Sequence, residues 1–223
     1  MESLVDLFSF RATHRQEPRM DQQAREQAFV SALATEHFVL QAARSAIVSE
    51  QIGRASIYMG AVSSALIALG FLAQVVTRLD PFVAALLPAL FVLGELTFAA
   101  LVRNTIENLV LLGQMQRIRG YYRGLAPEGS QFFDPPEGDA QFQAALGTVG
   151  LQSSLGQRLF TGASLVAAIN SILGGAGLAV LAARVADLGD GAALAVGAAV
   201  ALVLFVLHLL YQQRRSAHVG LRR

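Results

Sequence analysis

Residues 55–77, 81–102, 159–183 and 191–213 form four uninterrupted runs of more than twenty residues, and among them they hold one formally charged side chain, Glu95. A helix rises about 1.5 Å per residue and a bilayer's hydrocarbon layer is about 30 Å thick, so each run can cross it once. A helix of a water-soluble protein needs a polar face toward solvent. None of these runs has one, so oil is the predicted solvent. The expected fold class is all-α, a four-helix transmembrane protein built from two hairpins. Composition points the same way, because only 15% of the 223 residues are charged, against about 25% in an ordinary globular domain. Charges are rare where each costs about 3 kcal/mol to place at mid-membrane.

Arginine placement sets the expected orientation, because positively charged flanks stay on the cytoplasmic side. All 17 basic residues are arginine, and 15 of them fall before the first run, between the second and third, or after the fourth. The two short connections carry only Arg78 and Arg184. Both termini and the long middle segment are therefore expected in the cytoplasm of a multi-pass plasma-membrane protein. The chain divides into a cytoplasmic helical segment 1–54, a hairpin 55–102, a cytoplasmic middle region 103–158 with a loop at 125–138, a second hairpin 159–213 and a basic tail 214–223. Residues 3–10 are too short an apolar run for a cleavable leader and precede the first arginines, so span one is expected to act as an uncleaved insertion signal. Pro81 suits the first turn of the second span.

The polar segments carry helical patterns of their own. Asp21 is a plausible N-cap for a helix running into span one. Leu33, Leu40 and Ile47 recur every seven residues, which fits either a coiled-coil-like seam between subunits or an amphipathic face packed on the chain's own middle region or on the membrane. After span two, Ile106, Leu109, Leu112 and Met115 make an apolar stripe on a helix expected to continue inward to Gly124. A loop rich in Pro, Gly and acid follows, and Asp139 is a candidate cap for a further helix to Gln157.

Within the spans, Glu95 is the first candidate for function, since an ionisable group at membrane depth is costly. Depth measured from the flanking arginines groups Glu95, His208, Ser63 and Ser64 in one layer of the inner half, with Asn170 somewhat higher. Two readings follow. Glu95 faces a hydrated path or an oligomer axis and selects cations or protons, or it is bonded to His208 or a serine and holds helices together. Gly60 with Ser64, Ala193 with Gly197, and Gly197 with Ala201 are spaced four apart and favour close helix approach. The run Gly174-Gly175-Ala176-Gly177 favours a kink or a tight crossing.

Other chemistry is not signalled. Cysteine is absent, which excludes disulfides and thiolate chemistry. His14, His37, His208 and His218 show no metal-ligand spacing, and no phosphate loop or nucleophile elbow is present. No cofactor and no enzymatic activity are expected, and a net charge of +1 does not indicate nucleic acid. The stretch 34–70, with Arg44-Ser45-Ala46 and Gly53-Arg54-Ala55-Ser56, resembles a family of integral membrane proteins of GC-rich actinobacteria. The paired-span layout is also similar to SLATT-type effectors, which have one hairpin where this chain has two; that resemblance implies a membrane pore. No site residue carries over from either likeness. The functional expectation is an oligomeric ion channel or pore-like protein, likewise consistent with a homo-oligomer in the lipid bilayer. The alternative is a non-conducting scaffold that binds a cytoplasmic protein through its helical extensions.

Overall fold

A computed structural model describes residues 21–75, 80–125, 127–133 and 162–220. Helix α1 covers Gln22–Val75, α2 Asp80–Leu125, α3 Gly162–Val185 and α4 Asp190–Gly220, and no strand occurs among the described residues. All four contain a window long and apolar enough to span a membrane, the architecture of a multi-pass integral membrane protein. The chain divides into two units, Met1–Phe38 and Val39–Arg223. In the first, the described residues begin α1, where the Asp21 carbonyl accepts the Arg25 amide at 3.0 Å, the position expected of a cap residue. Phe29 is half exposed there.

The second unit is apolar outside and partly polar inside. Ile57, Leu66, Ile67 and Phe71 of α1, Leu96 of α2, and Leu194 and Leu202 of α4 are all well exposed, while Asn104, Ser164, Asn170, Ser171 and His208 are buried. In water that distribution would squander roughly 25 cal/mol for every Å² of apolar surface left uncovered. In oil it costs nothing, and side-chain hydrogen bonds between helices become the economical way to join them.

Helix α1 turns one stripe toward the rest of this unit. Residues 40, 44, 47, 51, 55, 58, 62 and 65 are the buried or half-buried positions from Leu40 to Ala65 apart from Ala43 and Ala61, and their steps of three and four keep them on one side of the helix. Arg44 Nε donates to Asn108 Oδ1 at 3.1 Å and Gln51 Nε2 to Thr105 Oγ1 at 3.2 Å, so the part of α2 beyond its apolar run occupies this face. Leu40 is buried within its own chain, as the packed-face reading expects, and Ile47 is half-buried on the same stripe; Leu33 belongs to the first unit. Further along, Tyr58, Val62 and Ala65 join a core with Leu90, Phe98, Leu101 and Val102 of α2 and Ala163, Val166 and Ala167 of α3.

The extension of α2 buries Leu109, Leu112, Met115 and Ile118, continuing the expected stripe by one more step. Its end meets a 3-10 helix over Pro127–Phe132, where a loop was expected. Pro127 starts it with a preset φ, and Phe133 stacks on Tyr122 with centroids 5.4 Å apart. The helix expected at 139–157 lies outside the described residues. The basic tail does not separate from span four: α4 continues through Arg214 and Arg215 to Gly220. On α1, Arg54 Nε bonds Glu50 at 2.7 Å, and that guanidinium holds the exposed Glu50 carboxyl below its usual range.

Helix α3 reverses into α4 through Asp187, whose φ of 49° lies in the left-handed region. A residue with a Cβ pays about 1–2 kcal/mol there. Asp187→Gly is therefore expected to raise thermal stability slightly, by about 0.5 kcal/mol after the added chain entropy, read as a small increase in Tm in detergent.

A polar cluster joining four helices

Three of the candidates singled out from sequence come together. Glu95 of α2 places its Oε1 against two partners. Asn170 Nδ2 of α3 donates to it at 2.9 Å, and His208 Nε2 of α4 lies at 2.9 Å. Asn170 is completely buried, and its Oδ1 accepts the hydroxyl of Tyr58 from α1 at 3.2 Å. One chain of contacts, Tyr58–Asn170–Glu95–His208, therefore touches every spanning helix.

The protonation of the far end follows from geometry. His208 Nδ1 lies 2.7 Å from the Leu204 carbonyl, which can only accept, so Nδ1 carries a hydrogen. Ser171 Oγ, 3.4 Å from Nδ1, donates to the Ala167 carbonyl at 2.7 Å and so presents a lone pair to the same hydrogen. The remaining contact, Nε2 to Oε1, needs one proton between two acceptors. It sits on the carboxyl or on the imidazole, giving a neutral acid with a neutral ring or a carboxylate with an imidazolium. Both arrangements have zero net charge, which is the form a pair must take to be tolerated in oil. Phe98 closes one side of the ring, edge-on at 4.6 Å.

Burial across the cluster is uneven. The His208 side chain is 7% exposed, but that of Glu95 is 40% exposed. Glu95 therefore presents an edge outward from the bundle while one oxygen is held inside it. On the inner side, Gly94 makes room for Asn170: a Cβ on Gly94 would collide with the Asn170 amide.

The other candidates are placed elsewhere. Ser63 and Ser64 are exposed on α1, so a depth shared with Glu95 does not bring them to the cluster. Gly60 is also exposed, with nothing near its Cβ position, so Gly60 and Ser64 make no close approach among the described residues. Gly197 and Ala201 do lie at a crossing. A Cβ on Gly175 would run into the Gly197 carbonyl and lie 2.8 Å from Ala201 Cβ, and one on Gly197 would lie 2.7 Å from both Gly175 O and Ala179 Cβ. Ala193 is buried on the same helix. The glycine run of α3 thus makes a tight crossing with α4 in a helix that stays continuous. Tyr58 was not singled out from sequence as a polar group; its place on the stripe of α1 residues at steps of three and four was the available signal.

Further along α2, Asn104 is buried, and its amide contributes with Arg54 to holding the Glu50 carboxyl below its usual range. No group of three or more metal-ligating side chains occurs among the described residues. No protein-family model, curated protein or solved structure matches the chain.

Proposed function

We propose that the chain is one subunit of a pore-like oligomer in the plasma membrane, with a cation or proton path running between protomers past the outward edge of Glu95. The observation that carries this reading is the partly exposed Glu95 side chain, whose neighbours on α2, Val92 and Leu96, are exposed apolar residues. Such an edge in lipid is unfavourable by several kcal/mol, and a protomer–protomer junction or a hydrated path relieves that cost. Among the described residues, Tyr58, Val166, Ala167 and Asn170 fill the bundle interior and are essentially solvent-free, which favours a path between protomers. The resemblance to SLATT-type effectors implies a pore as well, and on this reading the chain performs no catalysis.

Flux through liposomes containing the purified protein tests the proposal. The native protein is expected to conduct, and Glu95→Gln is expected to assemble normally while cation-over-anion preference falls toward unity. An amide keeps an acceptor for Asn170 and loses only the shared proton, so its stability cost is about 1 kcal/mol. Unchanged selectivity in the variant takes Glu95 out of the path.

The second reading, a non-conducting scaffold with a cytoplasmic protein partner, is favoured by a different observation. Ile52 on α1 and Val110 on α2 are exposed apolar residues beyond the spans as read from sequence. Absence of conductance across ions and pH, with a stable oligomer, decides for it.

A further inference from the structure

Counted with its shared proton, the Glu95–His208 pair is neutral, and a neutral pair has no net Coulomb attraction for a passing cation. Among the described residues neither side chain makes another ion pair. Two tyrosines are the other titratable groups at the cluster. Tyr58 of α1 reaches Glu95 through Asn170. Tyr211 of α4 packs on Phe98 at 6.1 Å, and its other neighbour, the Arg215 guanidinium, lies 6.0 Å from its ring. Helix α3 contributes Asn170 and Ser171, which do not titrate. The charge at this depth is therefore set by whether the pair holds its proton.

Protons reach the pair from one direction. His208 Nδ1–H is held by the Leu204 carbonyl, and the adjoining Ser171 hydroxyl donates to the Ala167 carbonyl, so neither hands a proton onward. The Asn170 amide links Tyr58 to Glu95 but keeps its own hydrogens, so it is no relay. What remains is the outward edge of Glu95. Its side chain is 40% exposed, and its Oε2 makes no hydrogen bond among the described residues. Losing the proton through that edge leaves a single negative charge, which costs about 3 kcal/mol at mid-membrane. A monovalent cation arriving at the carboxylate as the proton departs to water keeps the total charge unchanged. A divalent ion would overshoot that balance, and no group of three metal-ligating side chains occurs among the described residues to hold one.

We propose that the Glu95–His208 pair is an exchange site at which one proton and one monovalent cation displace each other. The choice of a cation as the exchanging ion rests on the path proposed above; the confinement of the proton to the outward edge does not. Acid fills the pair with its proton and suppresses cation flux. Alkali empties it and leaves the carboxylate to the cation.

Proton release tests this without any need for conduction. Native protein in detergent, weakly buffered and with a pH-indicator dye, receives potassium chloride. Choline chloride at equal ionic strength controls for screening, since its methyl groups keep its charge off an oxygen. Saturating potassium is expected to release about one proton per protomer, and each tenfold rise in potassium to move the midpoint of the native release profile by up to about one pH unit toward acid. Glu95→Gln has no shared proton to give and is expected to release none beyond the choline level. Equal release from native protein and Glu95→Gln, or equal release with potassium and choline, overturns the proposal. If the glutamine variant fails to fold, the comparison of potassium with choline on native protein decides. Potassium flux into liposomes is the second measurement, expected to fall on acidification in the native protein and to stay level in Glu95→Gln. Linked release without flux removes the path and supports the exchange site. Flux without linked release supports the path and overturns the exchange site.

Discussion

Gly175→Ala is expected to force α3 and α4 apart and to destabilise the protein by about 3 kcal/mol, at the upper end of what one added methylene costs in a packed interior. The new methyl would meet the Gly197 carbonyl and Ala201 Cβ, and neither can swing aside as the end of a long side chain can. The helical preference of alanine over glycine runs the other way, by about 1 kcal/mol, so a net loss isolates the steric term. Gly177→Ala is the matched control. Its added Cβ meets only Leu87 at 3.9 Å, and it is expected to be neutral or slightly stabilising. Unfolding of both variants in mixed micelles, followed by helical circular dichroism, gives the comparison. Equal stability of the two would mean that the crossing at Gly175 is looser than its geometry indicates. Gly197→Ala strikes the same contact from the facing helix, so the double variant is expected to fall short of the sum of the singles.

Asn170→Ala is expected to cost about 2 kcal/mol, because it strands two partners at once, one of them the fully buried Tyr58. Tyr58 loses its acceptor and Glu95 one of its donors. Interhelical hydrogen bonds in membranes average only about 0.6 kcal/mol, and Tyr58→Phe, which removes a single bond and leaves Asn170 its contact with Glu95, is expected to match that figure. A double-mutant cycle on the two residues separates the pair's own contribution from the cost of the stranded groups. A loss below about 0.6 kcal/mol for Asn170→Ala would show that the cluster does little to join the helices.

The sequence disclosed the helices well because lipid permits so few alternatives: absence of charge over twenty residues is a signal that length alone converts into a span. It disclosed the cluster in part, and the reason is angular. Counting residues from an arginine anchor gives depth but says nothing of direction around the helix, where each residue turns by about 100°. Ser63 and Ser64 were matched to Glu95 by depth, yet they lie roughly 140° and 120° around α1 from Tyr58, and Tyr58 is the residue that turns inward. Glu95, His208 and Asn170 were legible because strongly polar groups are scarce in these spans and so have few partners to find. The same angular blindness made Gly60 with Ser64 and Gly197 with Ala201 look alike, although among the described residues only the second pair meets another helix.

The single proton held between Glu95 and His208 also bears on electrical sensitivity. A charge carried across the whole membrane gains about 2.3 kcal/mol per 100 mV. A hop within the 2.9 Å between Oε1 and Nε2 moves the proton by about 1 Å, well under a tenth of a 30 Å layer, so the same voltage biases it by about 0.1 kcal/mol at most. That is well under thermal agitation. A resting potential therefore cannot switch this pair by sliding its proton from one atom to the other; only gain or loss of the proton altogether would alter the field it imposes on its surroundings.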